Sequence, residues 1–163
     1  MIVGAHDDKR VQLQEAFDAC GELSELVVGL IMTPNPICVS PHATGWELVS
    51  LFRDRGFRHL LVRGDDNRLL GVISDRDIIR CFGLDDDTAA TQVSSLAAEQ
   101  LMSTDLLTIE PSTRVQRALQ VMLEFGVNCL PVCHQDVPVG IITSTDIYLL
   151  AEQMLIAHRT QPV

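Results

Sequence analysis

The heptapeptide "GVISDRD" at residues 71–77 decides how this chain is read, because "GIITSTD" at residues 140–146 writes nearly the same thing again. Each copy holds a glycine, a short apolar run with the character of a buried strand, a hydroxyl residue and an aspartate three positions beyond the hydroxyl. A sequence that spells this twice is built from two related halves rather than around a single site.

The repetition covers most of the chain. At an offset of 70, Ser24, Leu26 and Met32 meet Ser94, Leu96 and Met102. Pro41 then meets Pro111, Gly56 meets Gly126, and Leu60 and Val62 meet Leu130 and Val132. One residue is lost in the following turn, after which Gly71, Ile73, Asp77 and Ile78 match Gly140, Ile142, Asp146 and Ile147. The implied organisation is an N-terminal segment, partly helical, at 1–22, a first repeat at 23–82, a linker at 83–92, a second repeat at 93–151 and a tail at 152–163.

Each repeat reads as helix, strand, helix, strand, strand, helix. Leu23, Leu26, Val27, Leu30 and Ile31 recur at helical intervals and predict a leader helix over 11–31, stopped by Pro34 and Pro36. "ICV" at 37–39 is strand-like. Thr44 and Glu47 form a capping box ahead of an amphipathic helix that Gly56 ends, and Thr113 with Gln116 is expected to do the same in the second repeat. "RGDDN" and "CHQDVP" read as hairpin turns. "GLDDDTAATQ" carries no apolar period and reads as a solvated linker.

Composition narrows the partners. With 163 residues, 47% of them hydrophobic, the chain can bury a sizeable core, and a formal net charge of −10 argues against nucleic acid and against an anionic membrane surface. The first thirty residues hold no basic stretch followed by an apolar run, and nothing approaches the length of a membrane span, which predicts a cytoplasmic location. The five cysteines lack the spacing of a disulfide framework and read as small buried hydrophobes. Cys129, Cys133 and His134 look like a fragment of a metal site, but no second pair is spaced to complete it, so no metal is expected. No serine elbow, zincin helix or phosphate-gripping loop is present, so no catalytic residues are assigned and no enzyme is expected.

The pattern "IMTPNPICVSPHAT", "GFRHLLV", "GVISDRDI", followed by "LMSTDLLTIEPST", "GVNCLPV", "GIITSTDI", resembles a tandem pair of cystathionine-β-synthase (CBS) domains, the arrangement called a Bateman module. The resemblance spans roughly residues 23–151. It implies an α/β (α+β) fold of two pseudo-symmetric βαββα repeats packed through their sheets, and two clefts that take adenosine-containing ligands such as AMP, ADP, ATP or S-adenosylmethionine, with no other cofactor required. In this family the motif aspartate holds the ribose and the preceding Ser or Thr lies near the phosphates. Carried over by position, the first cleft uses Arg58, His59, Ser74, Arg76, Asp77, Ser103, Thr108 and Cys129. The second uses Thr33, Cys38, His59, Asn128, Cys129, Thr143, Thr145 and Asp146. One departure stands out: Leu61 replaces the proline that the second repeat keeps as Pro131.

The first cleft gathers Arg58, His59 and Arg76 where the second has Asn128, Cys129 and Thr145. Only the first therefore has cations suited to a polyphosphate. Asp77 and Asp146 could equally be helix caps, a role that does not conflict with binding. Residues 11–31 and 149–159 are apolar on one face and predict contacts of a homodimer. The reading favoured is a regulatory module that senses adenine nucleotides and acts on a regulated protein not yet identified. The alternative is a module for oligomerisation or docking whose clefts are vestigial.

Overall fold

A computed structural model describes residues 3–20, 23–82 and 95–159. The expected linker at 83–92 lies outside the described residues, as do residues 160–163. In chain order the elements are α1 (Val3–Cys20), a 3₁₀ turn (Leu23–Glu25), α2 (Val28–Ile31), β1 (Thr33–Pro34), β2 (Cys38–Val39), α3 (Gly45–Arg55), β3 (His59–Arg63), β4 (Leu69–Ser74), α4 (Asp75–Phe82), α5 (Ala98–Leu101), α6 (Val115–Phe125), β5 (Cys129–His134), β6 (Val137–Thr143) and α7 (Ser144–Arg159). The architecture is the mixed α/β one expected, with a leader helix and a C-terminal helical tail.

Two compact units form, and each combines the core of one repeat with the leader of the other. One holds Pro36–Leu107 with Gln135–Pro138; the other holds Met1–Asn35, Thr108–His134 and Val139–Val163. They are called the Asp77 unit and the Asp146 unit below.

In the Asp77 unit β2 runs parallel to β3, and β3 pairs antiparallel with β4. The hairpin turns at "RGDDN" as expected, with Asn67 in the left-handed region at φ 66° and Gly64 N–H donating to the Arg68 carbonyl over 2.9 Å. Leu48, Leu60, Val62, Ile73 and Ile78 form the core together with Ala98 and Leu101, which belong to the leader of the second repeat. That leader is stitched in by backbone bonds: Ala98 N–H donates to the Ala43 carbonyl, and Ser103 exchanges bonds with Val72.

The Asp146 unit repeats the scheme. Its sheet runs β1, β6, β5, and Ile109 makes the parallel bridge to Val132 that β2 makes to β3 in the other unit. Thr33 pairs with Ile141 as Ser103 pairs with Val72. Gln135 and Asp136, at φ 50° and 67°, turn the β5–β6 hairpin through two left-handed residues, a geometry that matches strand twist.

The repeated glycines follow from this exchange of leaders. A Cβ at Gly71 would overlap Sδ of Met102, and one at Gly140 would overlap Sδ of Met32. The conserved pairing of leader methionine and strand glycine within the repeat is thus a packing device: the strand must be bare where the leader crosses it.

Helix punctuation is as expected in the first repeat. The Thr44 hydroxyl accepts from Glu47 N–H, the Glu47 carboxylate accepts from Thr44 N–H over 2.6 Å, and Gly56 stops α3 in the left-handed conformation at φ 67°. Two expectations fail. The leader is not one helix over 11–31: α1 ends at Cys20, and Leu26 and Val27 spend their backbone groups on Val115 and Arg114 instead of on a helix. The Thr113–Gln116 box does not form either: the N-cap position of α6 falls one residue later, on Arg114, whose side chain makes no capping bond, while the Thr113 hydroxyl accepts from Glu110 N–H.

Candidate functional site

In both units the aspartate of the repeated motif sits on the third residue of a helix, one turn beyond the strand that carries the glycine. Ser74 caps α4: its Oγ accepts from Asp77 N–H over 3.3 Å, while Asp77 Oδ2 accepts from Ser74 N–H at 2.8 Å and from Ser74 Oγ–H at 2.6 Å. This is a capping box with aspartate in the place of the usual glutamate. The expected roles are therefore refined. Ser74 is the cap, and Asp77 is the residue that closes the box.

One carboxylate oxygen is consumed by this arrangement, which leaves Oδ1 for anything else. Asp77 Oδ1 faces Arg80 Nη1 at 3.6 Å, and the Asp77 side chain keeps 29% of its surface exposed. Around it the Asp77 unit gathers most of the expected first-site residues. His59 lies directly opposite Ser74 across β3 and β4, and the Arg58 carbonyl accepts from Asp75 N–H. The Arg58 guanidinium is exposed, 3.8 Å from the Asp75 carboxylate. Arg76 is exposed on the first turn of α4, and Ser103 is exposed beside Val72. Burial holds the His59 imidazole below its ordinary pKa, and the Arg58 charge pushes in the same direction, so the ring is neutral at neutral pH.

Thr108 and Cys129, expected at the first site, belong to the Asp146 unit, where Thr108 is exposed ahead of the Ile109 bridge. Cys38 and His59, expected at the second, belong to the Asp77 unit. Burial pushes the Cys38 thiol up, and its Sγ–H donates to the Pro36 carbonyl.

The Asp146 unit assembles Thr33, Asn128, Cys129, Thr143, Thr145 and Asp146. Asp146 Oδ2 accepts from Thr143 N–H at 2.7 Å and from Thr143 Oγ1–H at 2.9 Å. The Asn128 carbonyl accepts from Ser144 N–H, as Arg58 does for Asp75. Thr145 lies half-buried on the first turn of α7. The Cys129 thiol is pushed up to about 12 by burial and by the Asp146 charge, which makes it a packed hydrophobe and not a nucleophile.

A cation that the motif residues do not supply stands at Asp146. Lys9 Nζ on α1 lies 3.0 Å from Asp146 Oδ1 and donates to Thr33 Oγ1 at 3.3 Å. Lys9 was missed because it stands far from the motif in sequence, in a segment outside the repeat. A signal existed: Lys9, Leu13 and Ala16 share one helix face, and Lys9 is the single lysine of the chain.

Leu61, which stands where the second repeat has Pro131, is fully buried. Among the described residues no group of three or more His, Cys, Asp or Glu side chains is gathered as a metal ion would require, and no helix is long and apolar enough to cross a membrane.

This geometry agrees with what the chain resembles among known proteins. The CBS domain family model matches residues 25–83 and 98–151. Hypoxic response protein 1 of Mycobacterium tuberculosis is 32% identical over 120 residues, which make up 72% of this chain and 79% of that protein. Among solved structures, Vibrio cholerae AcuB superposes with a TM-score of 0.70 at 25% identity, covering 83% of this chain and 98% of its own. CBSX2 in complex with AMP superposes with a TM-score of 0.68 at 25% identity, covering 78% of this chain and 97% of its own. The matched repeats, the shared α/β units and the paired Ser74–Asp77 and Thr143–Asp146 helix starts lead to one conclusion: the chain belongs to the CBS domain family and carries two CBS repeats.

Proposed function

We propose that this chain is a regulatory module that binds an adenosine-containing ligand at the start of α4 and carries no catalytic activity of its own. The observation that supports this most is the state of Asp77: Oδ2 is fixed by Ser74, and Oδ1, on a side chain 29% exposed, lies 3.6 Å from Arg80. A carboxylate held by one oxygen accepts a ribose hydroxyl through the other. The guanidinium groups of Arg58 and Arg76 favour the phosphate. Neutral His59 offers a ring to the base or sugar without a second positive charge. CBSX2, a relative in fold and sequence, is seen with AMP.

Ligand regulates by binding one arrangement of the protein better than another, and the linkage is quantitative. The module works in the cytoplasm, as a homodimer, on a protein partner that reads its state. The exposed Leu123 and Phe125 of α6 and Leu155 of α7 support such an interface. Those same residues favour the second reading, a docking or oligomerisation module whose sites are unused.

A thermal-shift screen against AMP, ADP, ATP and S-adenosylmethionine separates the two. A ligand that binds the native state raises the melting temperature by mass action; a module with unused sites melts unchanged in all four.

A further inference from the structure

The two helix starts are alike in the two bonds that each aspartate accepts from Ser74 or Thr143, and unlike in what meets the remaining carboxylate oxygen. At Asp77 that oxygen faces the tip of Arg80, a side chain 78% exposed. At Asp146 it is held by the Lys9 ammonium at 3.0 Å, with only 10% of Lys9 and 7% of Asp146 exposed. Because Oδ2 is already bonded twice to Thr143, both oxygens of Asp146 are engaged.

Helix α1 is fastened in this position. Leu13 and Ala16, one and two turns beyond Lys9, are 0% and 5% exposed. Gln12 Nε2–H donates to the carbonyls of Leu30 and Met32, both at 3.0 Å, and Arg10 pairs with Glu152 on α7. Lys9 also donates to Thr33, a second residue expected to meet ligand at this site.

We infer that Lys9 is an internal occupant of the Asp146 site and so determines that the chain takes its adenosine-containing ligand at Asp77 alone. A neutral ribose would have to replace a buried ion pair with a bond in which only the carboxylate is charged, and would leave a buried ammonium without its partner, an exchange that disfavours entry. The ligand side of this inference rests on the function proposed above; the occlusion itself is tested without ligand.

Lys9 being the single lysine, amine chemistry reports on it alone once fragment-ion mass spectrometry separates it from the terminal amine. A short pulse of acetic anhydride is expected to acylate Lys9 several-fold more slowly in the wild type than in Asp146→Asn. Saturating AMP is expected to leave that protection unchanged. Equal rates in wild type and Asp146→Asn, or protection lost on adding AMP, overturn the inference. In calorimetric titrations with AMP, the wild type is expected to bind one equivalent, Asp77→Ala none, and Lys9→Met/Asp77→Ala one again, lost on adding Asp146→Ala. A folded Lys9→Met/Asp77→Ala that binds no AMP while the wild type does overturns it too. A wild type that binds no adenine nucleotide contradicts the proposed function, and the acylation rates then still decide whether Lys9 closes the Asp146 site.

Discussion

Ser74 Oγ–H donates to Asp77 Oδ2 over 2.6 Å, and the same Oγ accepts from Asp77 N–H, so one pair of side chains both starts α4 and aims the carboxylate. Under the proposed function, folding and binding are coupled through this pair. Ser74→Ala is expected to cost about 1 kcal/mol of stability, as the loss of a cap does. Urea denaturation measures it. A loss below a few tenths of a kcal/mol would show that the box carries little of the helix start.

Met102 meets Gly71 with its Cβ as well as its thioether, whereas Met32 meets Gly140 with its outer atoms. At Gly71 an added methyl would lie 2.8 Å from the Met102 Cβ, close to the backbone, whereas at Gly140 the conflict is with Sδ, Cγ and Cε of a side chain free to swing. Gly71→Ala is therefore expected to destabilise by about 1–3 kcal/mol and Gly140→Ala by less. Equilibrium unfolding of the two variants gives the order. Gly71→Ala/Met102→Ala should lose less than the sum of its single variants, because the residues share one contact.

Lys9–Asp146 and Arg10–Glu152 are neighbouring ion pairs with opposite degrees of burial. The Lys9 pair is 10% and 7% exposed, the Arg10 pair 41% and 45%. Lys9→Met leaves a buried carboxylate unpaired and should cost roughly 3–5 kcal/mol, while Arg10→Met removes a solvated pair and should cost far less. Similar losses for both in urea melts would show that Asp146 finds another partner or takes up a proton.

His59 makes stability depend on pH in a direction that burial fixes. Its folded pKa is lowered from 6.5, first by burial and then by Arg58. Above about pH 6.5 the ring is neutral in folded and unfolded chains alike, and this contribution is complete. As the pH falls through 6.5 the unfolded chain takes up a proton that the folded one resists, so stability falls until the folded pKa is passed. The urea midpoint of the wild type should drop over this window more steeply than that of His59→Gln. Parallel curves would mean that the imidazole is as solvated folded as unfolded.

Much of this was legible in the sequence because it is local. The hairpin turns, the Thr44–Glu47 box and the glycine stop at 56 depend on residues close to each other in sequence. The repeat register itself holds the correction at Thr113, since Thr44 shifted by 70 falls on Arg114, the residue at the N-cap position of α6. Leader exchange was not legible. Met32 and Met102 meet equivalent glycines, so the pattern says that a methionine crosses a glycine without saying which copy supplies it. The leader break was hidden because Leu26 and Val27 fit a helical period while their backbone groups bond to another repeat's residues. Lys9 was hidden because a salt bridge carries no spacing rule across so much chain.

The account stands most directly on the role of Asp77 as a ligand contact. Isothermal titration of AMP into the wild type and into Asp77→Ala, each checked for folding by circular dichroism, measures it. Saturable binding by the wild type that falls at least about tenfold in affinity in the variant is the expected result, as the loss of a charged hydrogen-bond acceptor implies. Binding of AMP by a folded Asp77→Ala with undiminished affinity would contradict it.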